Sequence, residues 1–311
     1  MITPVIVMKP NINAFWSRHG LAFAAPKLVI ALILSLLAMP CLLSAQTLQH
    51  EWSFNEPSGS LTATDSVVGA NITLLGSTSL GGGVLTLPGG GGNYAQFPNG
   101  ILSTNNSITI ETWLTDNAGA TWSRAWSFGG STTGPNNNFI QNNYIDLIPT
   151  AGNGTFWTEF KQGGAVDAEA TAPLPSGTEE YTVVTYDLPS KTARLYLNGV
   201  QVAMATGVTI SPASLGFTYN NYIGLDQWND GVFNGTFDEM RIWTAPVSQR
   251  YLSASAVAGP SVVINNLAPT SVSVTAGPAW SSREPNKPQS PFSFRKQGRL
   301  IFWPPATPPT G

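Results

Sequence analysis

The 311-residue sequence contains one cysteine, Cys41, and two histidines, His19 and His50. A lone cysteine excludes an intrachain disulfide and a thiolate metal site. With His19 inside the leader described below, His50 is left alone, too little for zinc–histidine or Ser–His catalysis. Charge is equally scarce, at 10% of residues, and amphipathic helical periodicity is nearly absent. Basic residues are thinnest in the middle of the chain. Residues 46–279 hold 6 basic and 16 acidic side chains, a net charge of −10 concealed by the overall −3. An acidic body lacks the Lys and Arg that nucleic-acid phosphates require; it suits cations or neutral glycans. What is abundant is glycine (31) and proline (24), the composition of many short strands joined by turns.

The leader is basic and then apolar. Lys9, Arg18 and Lys27 precede Leu28–Met39, a run of twelve in which Ser35 alone is polar, followed by Pro40 and small residues up to Ala45. This is the layout of a secretory signal cut after Ala45. An uncut signal anchor is the alternative, since the apolar character approaches bilayer-spanning length and would be the one membrane attachment. Pro40 before Cys41 matches a lipidation site poorly.

From Leu48 onward, alternating segments predict strands at 48–54, 71–75, 83–87, 93–97, 107–115, 122–128, 138–148, 154–161, 179–187, 192–197, 200–205, 219–225 and 235–244. Gly-rich clusters separate them, and only 248–256 reads as helix, with Ser248 as its N-cap. In Ala193–Val200, Leu195 and Leu197 share one face and Arg194 and Tyr196 the other, while Asn198-Gly199 supplies a two-residue positive-φ turn. Val183 and Val184 fall on opposite faces, which predicts a strand covered on both sides. The fold class expected is all-β, a two-sheet antiparallel jelly-roll sandwich over residues 46–258. Residues 259–279 read as a linker or the start of a second β-domain. The Pro-rich basic stretch 280–311 has no sustained period and is expected to be disordered, or to follow a shifted reading frame.

Four segments in order resemble the laminin-G-like jelly-roll family of the concanavalin A-like lectin/glucanase superfamily. They are Leu48–Glu56 with Asp65-Ser66; Ile108-Thr-Ile-Glu-Thr-Trp113; Tyr186-Asp187 with Ala193–Val200; and Phe233-Asn-Gly-Thr-Phe-Asp-Glu-Met-Arg-Ile-Trp243. The resemblance implies a curved two-sheet jelly roll and, in many members, a non-catalytic module on a secreted protein. It also implies that calcium is a candidate ligand.

Site residues follow from chemistry. Hydrolases of this superfamily alternate two carboxylates on one strand; here Asp167 and Glu169 alternate without a further acid, and adjacent Glu179 and Glu180 face opposite ways. The expectation is therefore a non-enzyme, unless acids distant in sequence converge. For calcium, Asp238 leads because it shares the parity of Met240 and Ile242, with Asp65 second; the alternative is that Asp238 accepts protein hydrogen bonds. For glycans, the loop Asp226-Gln-Trp-Asn-Asp230 sets Trp228 among Asp226, Asn229 and Asp230. Trp122, Trp126, Trp157 and Tyr144 are further candidates, whereas Trp113 and Trp243 are assigned to packing. The functional expectation is a secreted module binding an extracellular glycan or protein, or alternatively an adhesive domain of a larger surface protein.

Overall fold

Strands form where β-branched and aromatic residues alternate with polar ones, and the computed structural model assembles them into two antiparallel sheets. The structure describes residues 46–117, 119–130, 143–228 and 230–264. The expected signal segment, most of the 259–279 linker and the 280–311 tail lie outside the described residues.

Sheet I runs β14 (Val200–Thr206), β13 (Thr192–Leu197), β12 (Glu179–Asp187), β7 (Ile108–Asp116), β16 (Asn234–Trp243), β5 (Val84–Pro88), β4 (Ser79–Gly81), and β1 (Leu48–Trp52) also pairs with β16. Sheet II runs β11 (Gly164–Glu169), β10 (Trp157–Gln162), β9 (Asn143–Ile148), β8 (Trp126–Gly129), β15 (Asn220–Ile223), β6 (Tyr94–Gln96), β3 (Ile72–Leu75), β2 (Thr62–Ala63). Their inner faces enclose one apolar core. Ile108, Ile110, Leu114, Val184, Leu195, Met240 and Ile242 enter it from sheet I, and Trp126, Phe128, Ile145, Leu147 and Phe160 from sheet II. The expected two-residue turn is present, with φ of 51° at Asn198 and 78° at Gly199.

The outer face of sheet I carries a second apolar cluster. Trp113 stacks on Tyr181 at 4.3 Å, and Val183, Tyr196 and Trp243 join them under Tyr251 and Leu252 of α1 (Gln249–Ala258). This helix is why Val183 and Val184 are both buried. Ser248 caps it, accepting from Tyr251 N at 3.2 Å. Glu111 points into the same cluster and is fully buried; it accepts from the Tyr181 and Tyr251 hydroxyls and from Trp243 Nε1. Burial pushes its carboxyl up, opposed by the Tyr181 bond and by Arg241. The Arg241 guanidinium lies over Trp113 at 4.8 Å and reaches Glu239 at 3.0 Å and Glu51 at 3.3 Å.

Asp65 is a structural knot. Oδ1 accepts from Glu51 N (3.1 Å) and Val67 N (3.0 Å), while Oδ2 accepts from Ala70 N (3.1 Å) and pairs with His50 Nδ1 (2.8 Å). Burial alone would raise its carboxyl, but the His50 and backbone bonds hold it below the ordinary value. A depressed carboxylate stabilises the fold above its unfolded pKa and loses that contribution as pH falls through the folded one. Asp65→Asn is therefore expected to cost about 1–3 kcal/mol at pH 7, with the gap to the parent narrowing below about pH 4 in urea unfolding. A gap constant from pH 7 to pH 2 would contradict this assignment.

Candidate functional site on the outer face of sheet II

On β9 the residues that alternate with core Ile145 and Leu147 are Tyr144, Asp146 and Ile148. Register carries this alternation across the sheet. Asp146 faces Glu159 on β10, and Glu159 faces Asp167 on β11, so three carboxylates form a row. Neighbours in such a row have Cβ atoms about 4.5–5.5 Å apart. On one side the row is flanked by Tyr144 and Lys161, and on the other by Ile148, Trp157 and Glu169. Toward the middle of the sheet it continues through Ser127 and Tyr222 to Gln96.

Arg124, buried before β8, holds this row to the loop after β15. Its Nε donates to Asp146 Oδ2 at 3.0 Å, its Nη1 donates to Asp230 Oδ2 at 2.5 Å and to the Trp122 carbonyl, and it lies 3.8 Å from Asp226 Oδ2. Asp226 in turn shapes the loop, accepting from Trp228 N at 2.9 Å and Asp230 N at 3.0 Å. Burial pushes the Asp146 carboxyl up to about 7 against the pull of Arg124, with Glu159 and Asp167 adding to the rise. Asp167 is raised to about 6 by burial and by its acidic neighbours, and Asp226 to about 6 by burial.

Aromatic rings border the acids. Half-buried Trp228 donates Nε1 to Tyr144 Oη at 3.1 Å, and Lys161 Nζ lies 5.1 Å from its ring centroid. Beyond the other side of the row, Trp122 and Trp157 meet edge to face at 5.4 Å. Trp122 adopts a positive φ of 68°, and Gly152 leaves space for its ring, since a Cβ there would collide with the indole. Lys161 and Trp157 are four residues apart on one strand, about 13 Å, so the two aromatic borders sit on opposite sides of the carboxylate row.

The profile of the laminin G domain family, within the concanavalin A-like lectin/glucanases superfamily, matches residues 89–253, just over half of the chain. The chain belongs to that superfamily. Among solved structures, this superfamily member is similar to domain 4 of AbnA, a GH43 extracellular arabinanase from Geobacillus stearothermophilus in complex with arabinotriose. There the identity is 20% and the TM-score 0.55, over 67% of this chain and 98% of that one. It is also similar to the Trypanosoma rangeli sialidase in complex with sialic acid, at 14% identity and a TM-score of 0.51, over 66% of this chain and 32% of that one. At such identities the likeness is one of fold. No curated protein sequence matches significantly.

Within this superfamily fold the sequence-derived candidates separate. Trp228, Asp226 and Asp230 come together with Tyr144 and Trp157 on the outer face of sheet II, while Asn229 lies outside the described residues. Trp126 belongs instead to the core, fully buried between the sheets. Trp113 and Trp243 pack under α1 as expected. The parity expected of Asp238 is corrected by a β-bulge between Phe237 and Glu239. The extra residue places Phe237 in the core with Met240 and leaves Asp238 half-buried beside Glu179, each carboxyl raised by burial first. Among the described residues, no three His, Cys, Asp or Glu side chains form a group able to hold a metal. Sequence reasoning missed Arg124, Asp146, Glu159 and Lys161. The alternations Tyr144-x-Asp146 and Trp157-x-Glu159-x-Lys161 were the available signal, but their common face depends on a register that only pairing reveals.

Proposed function

We propose that this chain is a secreted, non-catalytic carbohydrate-binding module whose ligand lies across the outer face of sheet II. The observation that carries this reading is the carboxylate row bordered by Trp228 on one side and by Trp122 and Trp157 on the other. Aromatic faces take the apolar faces of sugar rings, and carboxylates accept their hydroxyls. Its structural likeness to an arabinanase domain crystallised with arabinotriose supports the class of ligand. The basic–apolar–small order of residues 1–45 supports export. Among the described residues no helix is long and apolar enough to cross a membrane.

The acids do converge, which is the condition a hydrolase reading requires. A glycosidase, however, needs two carboxyls that both reach the scissile bond. Asp146 is fully buried and bound to Arg124, and Glu159 is 6% exposed and accepts from Tyr144 at 2.8 Å. Only Asp167 of the three is more open. Binding is the chemistry this arrangement supports. This reading does not call on calcium. Each Asp65 oxygen already accepts two hydrogen bonds, and Asp238 has one acidic neighbour where calcium takes six to eight oxygens.

Titration of the protein with arabinotriose and a panel of neutral oligosaccharides, followed by tryptophan fluorescence and calorimetry, is the test. Trp228→Ala and Trp157→Ala are each expected to weaken binding about tenfold or more, with chelator having no effect and no reducing sugar released. Full affinity in both variants would move the site elsewhere; sugar release would overturn the non-enzymatic reading.

A further inference from the structure

The donors on this face are largely engaged, the Lys161 ammonium over the Tyr144 and Trp228 rings being the main exception. Arg124 serves Asp146, Asp230 and the Trp122 carbonyl, and Lys161 lies 3.7 Å from Glu159. Tyr144 donates to Glu159, Trp228 to Tyr144, and Trp157 to Thr155 Oγ1 at 2.5 Å. Gln227, buried over Gly129, donates Nε2 to Ser127 Oγ (3.1 Å) and to the Asn220 carbonyl (2.8 Å). What remains is acceptors. Asp146 Oδ1, Asp167 Oδ1 and Gln227 Oε1 are buried without a hydrogen-bond partner, and Asp146 and Gln227 are at most 1% exposed. Buried polar atoms are normally satisfied, so unpartnered acceptors along an acidic face favour a ligand that brings donors.

Charge sharpens the requirement. Asp146, Glu159, Asp167 and Glu169 stand on the strands, Asp226 and Asp230 on the loop, against Arg124 and Lys161 alone. A carboxylated sugar would add acceptors and negative charge to a face already rich in both. An ammonium group brings three donors and a positive charge, and it is attracted by tryptophan faces.

We propose, resting on the glycan-binding reading, that this face selects saccharides bearing free, protonated amino groups over their N-acylated counterparts, and excludes acidic sugars. Selectivity resides in the rim acids Asp167 and Glu169, which are more accessible than Asp146, while buried Asp146 and Gln227 contribute acceptor character behind them without touching the sugar.

Calorimetry on the full chain at pH 6 compares four probes: fully deacetylated glucosamine tetramer, its N-acetylated form, arabinotriose and sialyllactose. The deacetylated tetramer is expected to bind at least tenfold tighter than the acetylated one in 20 mM salt, with the ratio shrinking at 0.5 M, as screening requires. Sialyllactose should not bind. Asp167→Asn with Glu169→Gln should reduce affinity for the amine form several-fold more than affinity for arabinotriose. Spermine, added as competitor, should displace the tetramer poorly. Equal affinity for the acetylated and free-amine forms, binding of sialyllactose, or displacement by equimolar spermine would each overturn the proposal. Arabinotriose binding without amine preference sinks this inference and leaves the glycan-binding reading standing. Silence toward every saccharide from a folded protein sinks both.

Discussion

Replacing Arg124 with leucine is expected to destabilise the protein by about 3–5 kcal/mol in urea unfolding at pH 8, the usual cost of stranding a buried charge. Asp146 has no exposure, and its Oδ2 depends on the Arg124 Nε at 3.0 Å. Without the guanidinium its carboxyl rises further, from an already elevated value of about 7. The sign of the pH dependence follows. A carboxyl whose folded pKa exceeds its unfolded one weakens the fold above the unfolded pKa, and the penalty disappears as pH falls toward about 4. The deficit of Arg124→Leu relative to the parent should therefore shrink from pH 8 to about pH 6, where the parent's own Asp146 and Asp226 take up protons, and level off below it. Adding Asp146→Leu should recover most of the loss, because replacing a whole buried pair is far cheaper than breaking it. Glycan binding should vanish in both variants, since Arg124 also fixes Asp230 and thereby the loop carrying Trp228. A pH-independent deficit, or retained binding, would show that Arg124 does not organise this face.

The second large effect belongs to the opposite sheet. Arg241→Leu should also cost about 3–5 kcal/mol, but with a different signature. Arg241 is fully buried, 3.0 Å from Glu239, and its Nη2 donates to the Pro260 carbonyl beyond α1. Burial already pushes Glu239 up to about 8 against the pull of Arg241, so losing the cation leaves it protonated or strained. Hydrogen exchange should quicken in 249–264, where Tyr251, Leu252, Val263 and Ile264 pack on Trp113 and Trp243. The folded fraction should still bind glycan with parental affinity. Two buried guanidiniums with equal stability costs and opposite binding phenotypes distinguish the sheet that recognises ligand from the sheet that anchors the chain's end. Loss of binding in Arg241→Leu would contradict that division.

Much of this architecture was readable before any coordinates. Strong alternation with a diagnostic turn located β13, Asn198-Gly199 and β14, and the face shared by Leu195 and Leu197 is the one that packs on the core. The strand β11 escaped because Gly164–Glu169 has little β-propensity of its own; it forms through pairing with β10 over six positions. Short β2 and β4 escaped for want of length. Asp238 misled because parity assumes an unbroken strand, and one bulged residue reverses the faces that precede it. At the site, the loop around Trp228 was visible as polar residues about an aromatic. The row beneath it was not, because Asp146, Glu159 and Asp167 are distant in sequence and meet only through cross-strand register.

The position of β16 has a consequence for how this protein is made. The last strand among the described residues lies inside sheet I, bonded along one edge to β7 and along the other to β5 and β1. Until residues 234–243 leave the ribosome, those early strands have no common neighbour, and their long-range contacts cannot close. A nascent chain of this design stays unfolded through most of the synthesis of residues 46–243 and closes its fold only when β16 arrives.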